Sequence, residues 1–181
     1  MEIITYVLQG ELEHKDSMGN GSTIRAGDVQ RLSAGTGIVH SEFNSSTKNK
    51  TRLFQIWLQP SRQDVNPSYE QKFFSAKEKQ GRLALLVSKG GENGSIKANV
   101  DALIYGTLLD KGQVVTYSLS SNRIAYLQVA TGSIEVNGKV LNVGDSATIH
   151  TVDIIELIGR DDAEVLLFDL PSSKKNKRRQ Q

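Results

Sequence analysis

Apolar and polar side chains alternate in short runs along most of this chain, broken by glycine, asparagine and aspartate, and a period of two is the mark of strands that face a core on one side. Residues 3–13 are rich in β-forming side chains, and Met18-Gly19-Asn20-Gly21 then offers residues that tolerate positive φ. Residues 133–141 alternate around Asn137-Gly138, which predicts a two-residue hairpin. Further strands are expected at residues 53–58, 84–88, 103–109, 113–119, 125–129 and 165–170. A short helix around residues 75–80 and an irregular connection over 59–69, with Pro60 and Pro67, interrupt the pattern. The expected class is all-β, a barrel or sandwich.

The chain also echoes itself. Tyr6-Val7-Leu8-Gln9-Gly10 leading to Gly27-Asp28 is answered by Tyr126-Leu127-Gln128-Val129 and Gly132 leading to Gly144-Asp145. The cluster Gly90, Gly91, Asn93 and Gly94 marks a linker within residues 89–99. The expected organisation is therefore an N-terminal half over residues 1–90, a C-terminal half over 91–171 and a tail over 172–181.

Composition narrows the function classes. With 38% hydrophobic and 23% charged residues among 181, the chain reads as an ordinary globular protein. Neither a membrane-length apolar run nor a leader-like start is seen, so the expected location is cytoplasmic. The absence of cysteine removes disulfides, thiolate ligands and cysteine nucleophiles. The net charge of +2 conceals an asymmetry, because five of the 22 basic residues (Lys174, Lys175, Lys177, Arg178 and Arg179) lie in the last ten positions, which hold no acid. The remaining 17 bases face 20 acids, so the body is slightly acidic. The tail is expected to be disordered and solvated, and no specific nucleic-acid partner is inferred from it.

The candidate chemistry sits in Ser33-Ala34-Gly35-Thr36-Gly37-Ile38-Val39-His40-Ser41-Glu42-Phe43-Asn44. Residues two apart on a strand face the same way, so His40 and Glu42 can offer a nitrogen and an oxygen to one metal, iron being suited to both. Solvent exposure and a structural hydrogen bond are the competing roles for this pair. His14 shares strand parity with Leu8 and Leu12 and is read as structural or as part of a pocket rim. His150 is read as a partly exposed strand or turn residue, and Glu2 as structural.

Several other patterns carry no chemistry. Gly35-Thr36-Gly37 is a turn rather than a nucleotide fingerprint, and Ser41 lacks the elbow of a hydrolase nucleophile. Asp161-Asp162 reads as a solvated hairpin turn, while Phe54 and Trp57 read as core.

Gly27-Asp28-Val29, followed by Ser33-Ala34-Gly35 and by His40 to Asn44, resembles the second conserved motif of the cupins. Together with the run from Glu2 to Gly21 and the ending from Ala163 to Pro171, it resembles the pirin family, including bacterial pirin-like proteins associated with quercetin dioxygenase activity. The resemblance covers nearly all but the last ten residues. It implies a bicupin, two double-stranded β-helix halves with one metal-bearing and one degenerate, and it places His40 and Glu42 at two of four metal-ligand positions. The family's other two ligands come from a His-x-His pair just before the counterpart of Met1-Glu2, and this chain begins after that point. The N-terminal cupin half is accordingly expected to be incomplete, with exposed strand edges, and Met1 is read as an internal methionine of a longer gene. A shortened paralogue is one alternative, and an edge covered by a second copy, as in a homo-oligomer, is another.

The resemblance implies an iron-dependent dioxygenase acting on a flavonol such as quercetin, a small aromatic substrate. The alternatives are a non-catalytic pirin-like binding or regulatory module and an inactive fragment. Catalytic residues other than the metal ligands are not assigned.

Overall fold

The computed structural model describes residues 1–172; all but the first residue of the predicted tail lies outside the described residues. The described residues form a nearly all-β structure. The first seven strands are β1 (Glu2–Gln9), β2 (Glu11–Asp16), β3 (Gly21–Arg25), β4 (Asp28–Ser33), β5 (His40–Phe43), β6 (Arg52–Leu58) and β7 (Ser68–Phe73). Helix α1 (Ala76–Lys79) follows, started by Ser75, whose side chain and that of Glu78 form a reciprocal capping box. The rest comprises β8 (Ala84–Ser88), β9 (Ile96–Lys97), β10 (Leu103–Leu109), β11 (Val114–Ser118), β12 (Arg123–Thr131), β13 (Ser133–Val136), β14 (Lys139–Asn142), β15 (Ser146–Ile149), β16 (Ile154–Gly159) and β17 (Ala163–Pro171).

The internal echo is a structural repeat. In the first half β1 pairs with β4 and β6, and β2 pairs with β3 and β5. In the second half β12 pairs with β15 and β17, and β13 pairs with β14 and β16. Both Gly-Asp turns work alike, since Asp28 accepts from the Arg25 N–H at 2.7 Å and Asp145 from the Asn142 N–H at 2.8 Å. Gly10 and Gly132 end the first strand of each repeat at φ 73° and 67°, pressed on backbone. A Cβ would lie 2.5 Å from the Lys50 carbonyl oxygen or 2.2 Å from that of Asp162, so only glycine fits.

The halves differ at their edges. The second half adds β10 beside β17 and β11 beside β16, whereas β6 and β5, which correspond to β17 and β16, are edge strands among the described residues. The four-stranded sheet β6-β1-β4-β7 turns one face to the second half. There Ile4, Tyr6 and Val29, with Phe54, Ile56 and Leu58, share a core with Leu86, Ile104, Leu166 and Phe168. Ile96, Ala98 and Val100, which follow the glycine cluster, are buried in the same core with β9 parallel to β8, whereas residues 89, 90 and 92–94 are exposed.

A polar tie reinforces this contact. Lys79, on α1 and almost fully buried, donates to Tyr6 Oη at 2.6 Å and to Glu164 Oε1 at 2.9 Å, and Tyr6 donates to the same carboxylate oxygen. Burial, then the charge of Glu164 and the hydrogen bond to it, pushes the Tyr6 hydroxyl pKa well above its ordinary value.

Strand alternation misses β4 because all six of its residues are buried, including Gln30, Arg31 and Ser33. Arg31 is buried because its guanidinium is satisfied by Ser33, both oxygens of Ser68, Glu70 and the Lys97 carbonyl. Asn137-Gly138 forms the predicted hairpin turn, with φ of 44° and 81°.

Candidate metal centre

The other face of the four-stranded sheet looks into the first half, toward the small sheet β3-β2-β5. Register makes this interior polar. Gln71, Gln30, Thr5 and Gln55 stand in one row across β7, β4, β1 and β6, and Tyr69, Leu32, Ile3 and Trp57 in the next. Opposite them, His14 pairs with Glu42 and Asp16 with His40 across β2 and β5. Directly opposed residues share a face, as do residues two apart, so these four side chains converge. The turn from Ala34 to Gly37, closed by a hydrogen bond from the Gly37 N–H to the Ala34 carbonyl and anchored through the Thr36 N–H on Val65, delivers β5 to this place.

His40 and Glu42 thus lie on one face of a strand, each partly exposed, while Ser41 and Phe43 point outward. His14 is fully buried at the centre rather than at a rim. Its ring stacks on Tyr69 at 4.9 Å and on His40 at 5.8 Å between centroids. Its Nε2 lies 3.1 Å from Asp16 Oδ2 and its Nδ1 3.6 Å from Glu42 Oε1. Burial raises the Asp16 pKa, but hydrogen bonds from Asn20, His14 and the Asn20 and Met18 backbone outweigh it and bring the group down to about 2. Ionised Asp16 only accepts, so the proton on that side belongs to His14 Nε2. Tyr69 is pushed up by burial, against the lowering effect of Ser22, and by the nearby charges of Glu42, Asp16 and Asp28.

Glu42 is held at both oxygens. Gln30 Nε2 donates to Oε1 at 3.1 Å and Gln55 Nε2 to Oε2 at 2.7 Å. Trp57 Nε1 in turn donates to Gln55 Oε1 at 3.0 Å. Trp57, expected in the core, is 64% exposed on open strand β6, while Phe54, of opposite parity, packs against the shared core.

An imidazole and a carboxylate with unused lone pairs suit a first-row metal ion in chemical type. Among the described residues, no group of three or more histidine, cysteine, aspartate and glutamate side chains is arranged to hold one. His40 and Glu42 are therefore a partial donor set. His14, whose two nitrogens face Asp16 and the Gln30–Glu42 pair, serves as their neighbour. The remaining sequence candidates lie elsewhere. Glu2 is buried on the opposite sheet face, bonded to Ser33 at 2.8 Å and Asn99 at 3.3 Å, and His150 is exposed just beyond β15. Gln30, Gln55, Asp16 and Tyr69 were not singled out in the sequence. One signal was there, since His14-Lys15-Asp16 repeats the spacing of His40-Ser41-Glu42.

Comparison with known proteins adds the family context. Residues 1–58 match the Pirin family model, and residues 85–170 match that of the quercetinase C-terminal cupin domain. The chain is 40% identical over 171 residues to the quercetin 2,3-dioxygenase of Escherichia coli K12, covering 94% of this chain and 73% of that protein. It is 41% identical over 168 residues to a putative quercetin 2,3-dioxygenase of Zymomonas mobilis, covering 92% and 71%. The crystal structure of the bacterial pirin YhhW from Escherichia coli in complex with nickel(II) superposes with a TM-score of 0.89 at 38% identity, over 95% of this chain and 73% of that one. The two halves are accordingly cupin-type.

Proposed function

The chain belongs to the pirin family of cupin proteins, and on that premise we propose that it takes part in metal-dependent, ring-opening dioxygenation of a flavonol-type aromatic, with His40 and Glu42 as protein ligands of the metal. The observation that carries this reading is the convergence of His40, Glu42 and His14 on one polar interior face, next to an open sheet edge. Iron is the metal proposed; when bound, it would bring the aromatic substrate and dioxygen together and supply the electron transfer between them. Both oxygen atoms enter the product, so no external reductant is required.

The protein's part is placement. His40 and Glu42 present their donors from one strand face, and Asp16 fixes the tautomer of the His14 ring packed beside them. Leu32 and Ile3, both buried, stand in the neighbouring row of the same sheet face.

The test is anaerobic loading with ferrous iron, followed by metal analysis, oxygen uptake and loss of quercetin absorbance. Stoichiometric iron with turnover, both abolished in His40→Ala, is the expected result. Turnover retained in His40→Ala would overturn the metal-centred reading. The partial donor set among the described residues favours a second reading, a pirin-like binding module, which predicts quercetin or partner binding without oxygen uptake.

A further inference from the structure

We infer that Gln30 and Gln55 are positioning residues that clamp Glu42 in the orientation from which it ligates; this rests on the ligand role proposed for Glu42. Two buried side-chain atoms without a hydrogen-bond partner among the described residues, Thr5 Oγ1 and Gln30 Oε1, lead to it. Both residues are fully buried, and they are direct register partners on β1 and β4. Thr5 is also paired with Gln55 on β6, so it stands between the two glutamines that hold the carboxylate.

An unpartnered buried acceptor destabilises a fold, and Gln30 has an alternative. Turning its amide over would change the partner of each end. The reversed amide would set Oε1 against Glu42 Oε1, opposing two acceptors 3.1 Å apart. The carboxylate therefore dictates the amide's orientation, with Nε2 shared between Glu42 and, at 3.4 Å, His14 Nδ1. Gln55 completes the clamp from the other strand, its own carbonyl held by the Trp57 N–H. Each carboxylate oxygen receives one amide N–H and keeps lone pairs free. The plane of the carboxylate is set by two strands of a sheet that does not otherwise touch β5 in its ladder. Partners of this kind orient a metal ligand and tune its donor strength.

The signature is a trade between stability and affinity. Gln30→Met keeps the side chain's length but removes both the clamp and the unpartnered oxygen. Nickel(II) titration calorimetry on the full chain should show affinity falling about tenfold to a hundredfold, while the urea midpoint stays level or rises. Gln55→Met should lose affinity in the same direction. A purely structural Gln30 would give the reverse, a lower midpoint with unchanged nickel affinity, and that result overturns the inference. Glu42→Gln separates the ligand from its clamp. If it loses nickel while Gln30→Met and Gln55→Met keep it, the ligand assignment stands and the clamp falls. If Glu42→Gln binds nickel as the wild type does, or the wild type takes up none, the ligand assignment falls and the clamp with it.

Discussion

The two halves run the same strand plan with opposite interiors. Where β2 and β5 bring His14, Asp16, His40 and Glu42 together, their counterparts β13 and β16 bring Ile134, Val136, Ile155 and Leu157, all buried. The second interior is a continuous aliphatic core joined by Leu109, Leu127, Val129 and Val165. The first holds a small apolar cluster of Val7, Leu12 and Ile24, with Leu53 against it, and the buried Ile3 and Leu32. Backbone pairing therefore does not specify what a cupin-type half contains. The second half uses its interior for stability, and the first gives up apolar burial for a polar site that the shared core between the halves helps to hold.

The sharpest way to break the comparison is to put a first-half residue into the second. Leu157→Glu should place an unpaired carboxylate in that aliphatic core and cost about 4 kcal/mol or more, enough to prevent folding. A soluble variant with a wild-type urea midpoint would contradict the contrast. Cutting the tie between the halves should rank next. Lys79→Met leaves Glu164 and Tyr6 without their cation and should cost about 3 kcal/mol, read as a lower midpoint in urea unfolding followed by circular dichroism.

The same tie sets an alkaline limit. Because Tyr6 is held protonated more strongly in the folded state, its contribution is complete below the ordinary tyrosine pKa of about 10 and falls as pH rises above it, by up to about 1.4 kcal/mol per pH unit. Tyr6→Phe should flatten that slope in melts between pH 9 and 11. The smallest effect tests the chemistry of the halves rather than their packing. His150→Ala, at an exposed position, should change stability by no more than about 0.5 kcal/mol and leave metal uptake unchanged, in contrast to His40→Ala.

Much of this architecture was legible in the residues. Alternation and turn chemistry located most strands, the capped helix and the Asn137-Gly138 hairpin, and the doubled Gly-Asp turn disclosed the repeat. His40-Ser41-Glu42 stood out because two donors at a strand period need no tertiary information to share a face. β4 escaped notice because its buried polar residues are satisfied by partners far along the chain, such as Ser68 and Lys97 for Arg31. Trp57 misled because aromatic residues on strands usually pack inward, whereas β6 is an edge strand among the described residues and Trp57 on it is exposed.

By itself, then, the sequence determined the all-β class, the duplicated plan and the placing of His40 and Glu42 on one strand face, since each follows from local periodicity or short motifs, and its resemblance to the pirins pointed to the family. Tertiary structure alone decided that His14 lies beside Glu42, that Gln30 and Gln55 grip its two oxygens, and that Ile96 and Ala98, just past the glycine cluster, enter the core between the halves. Those outcomes depend on the register of strands distant along the chain. A shift of one residue would turn every one of these side chains to the other face.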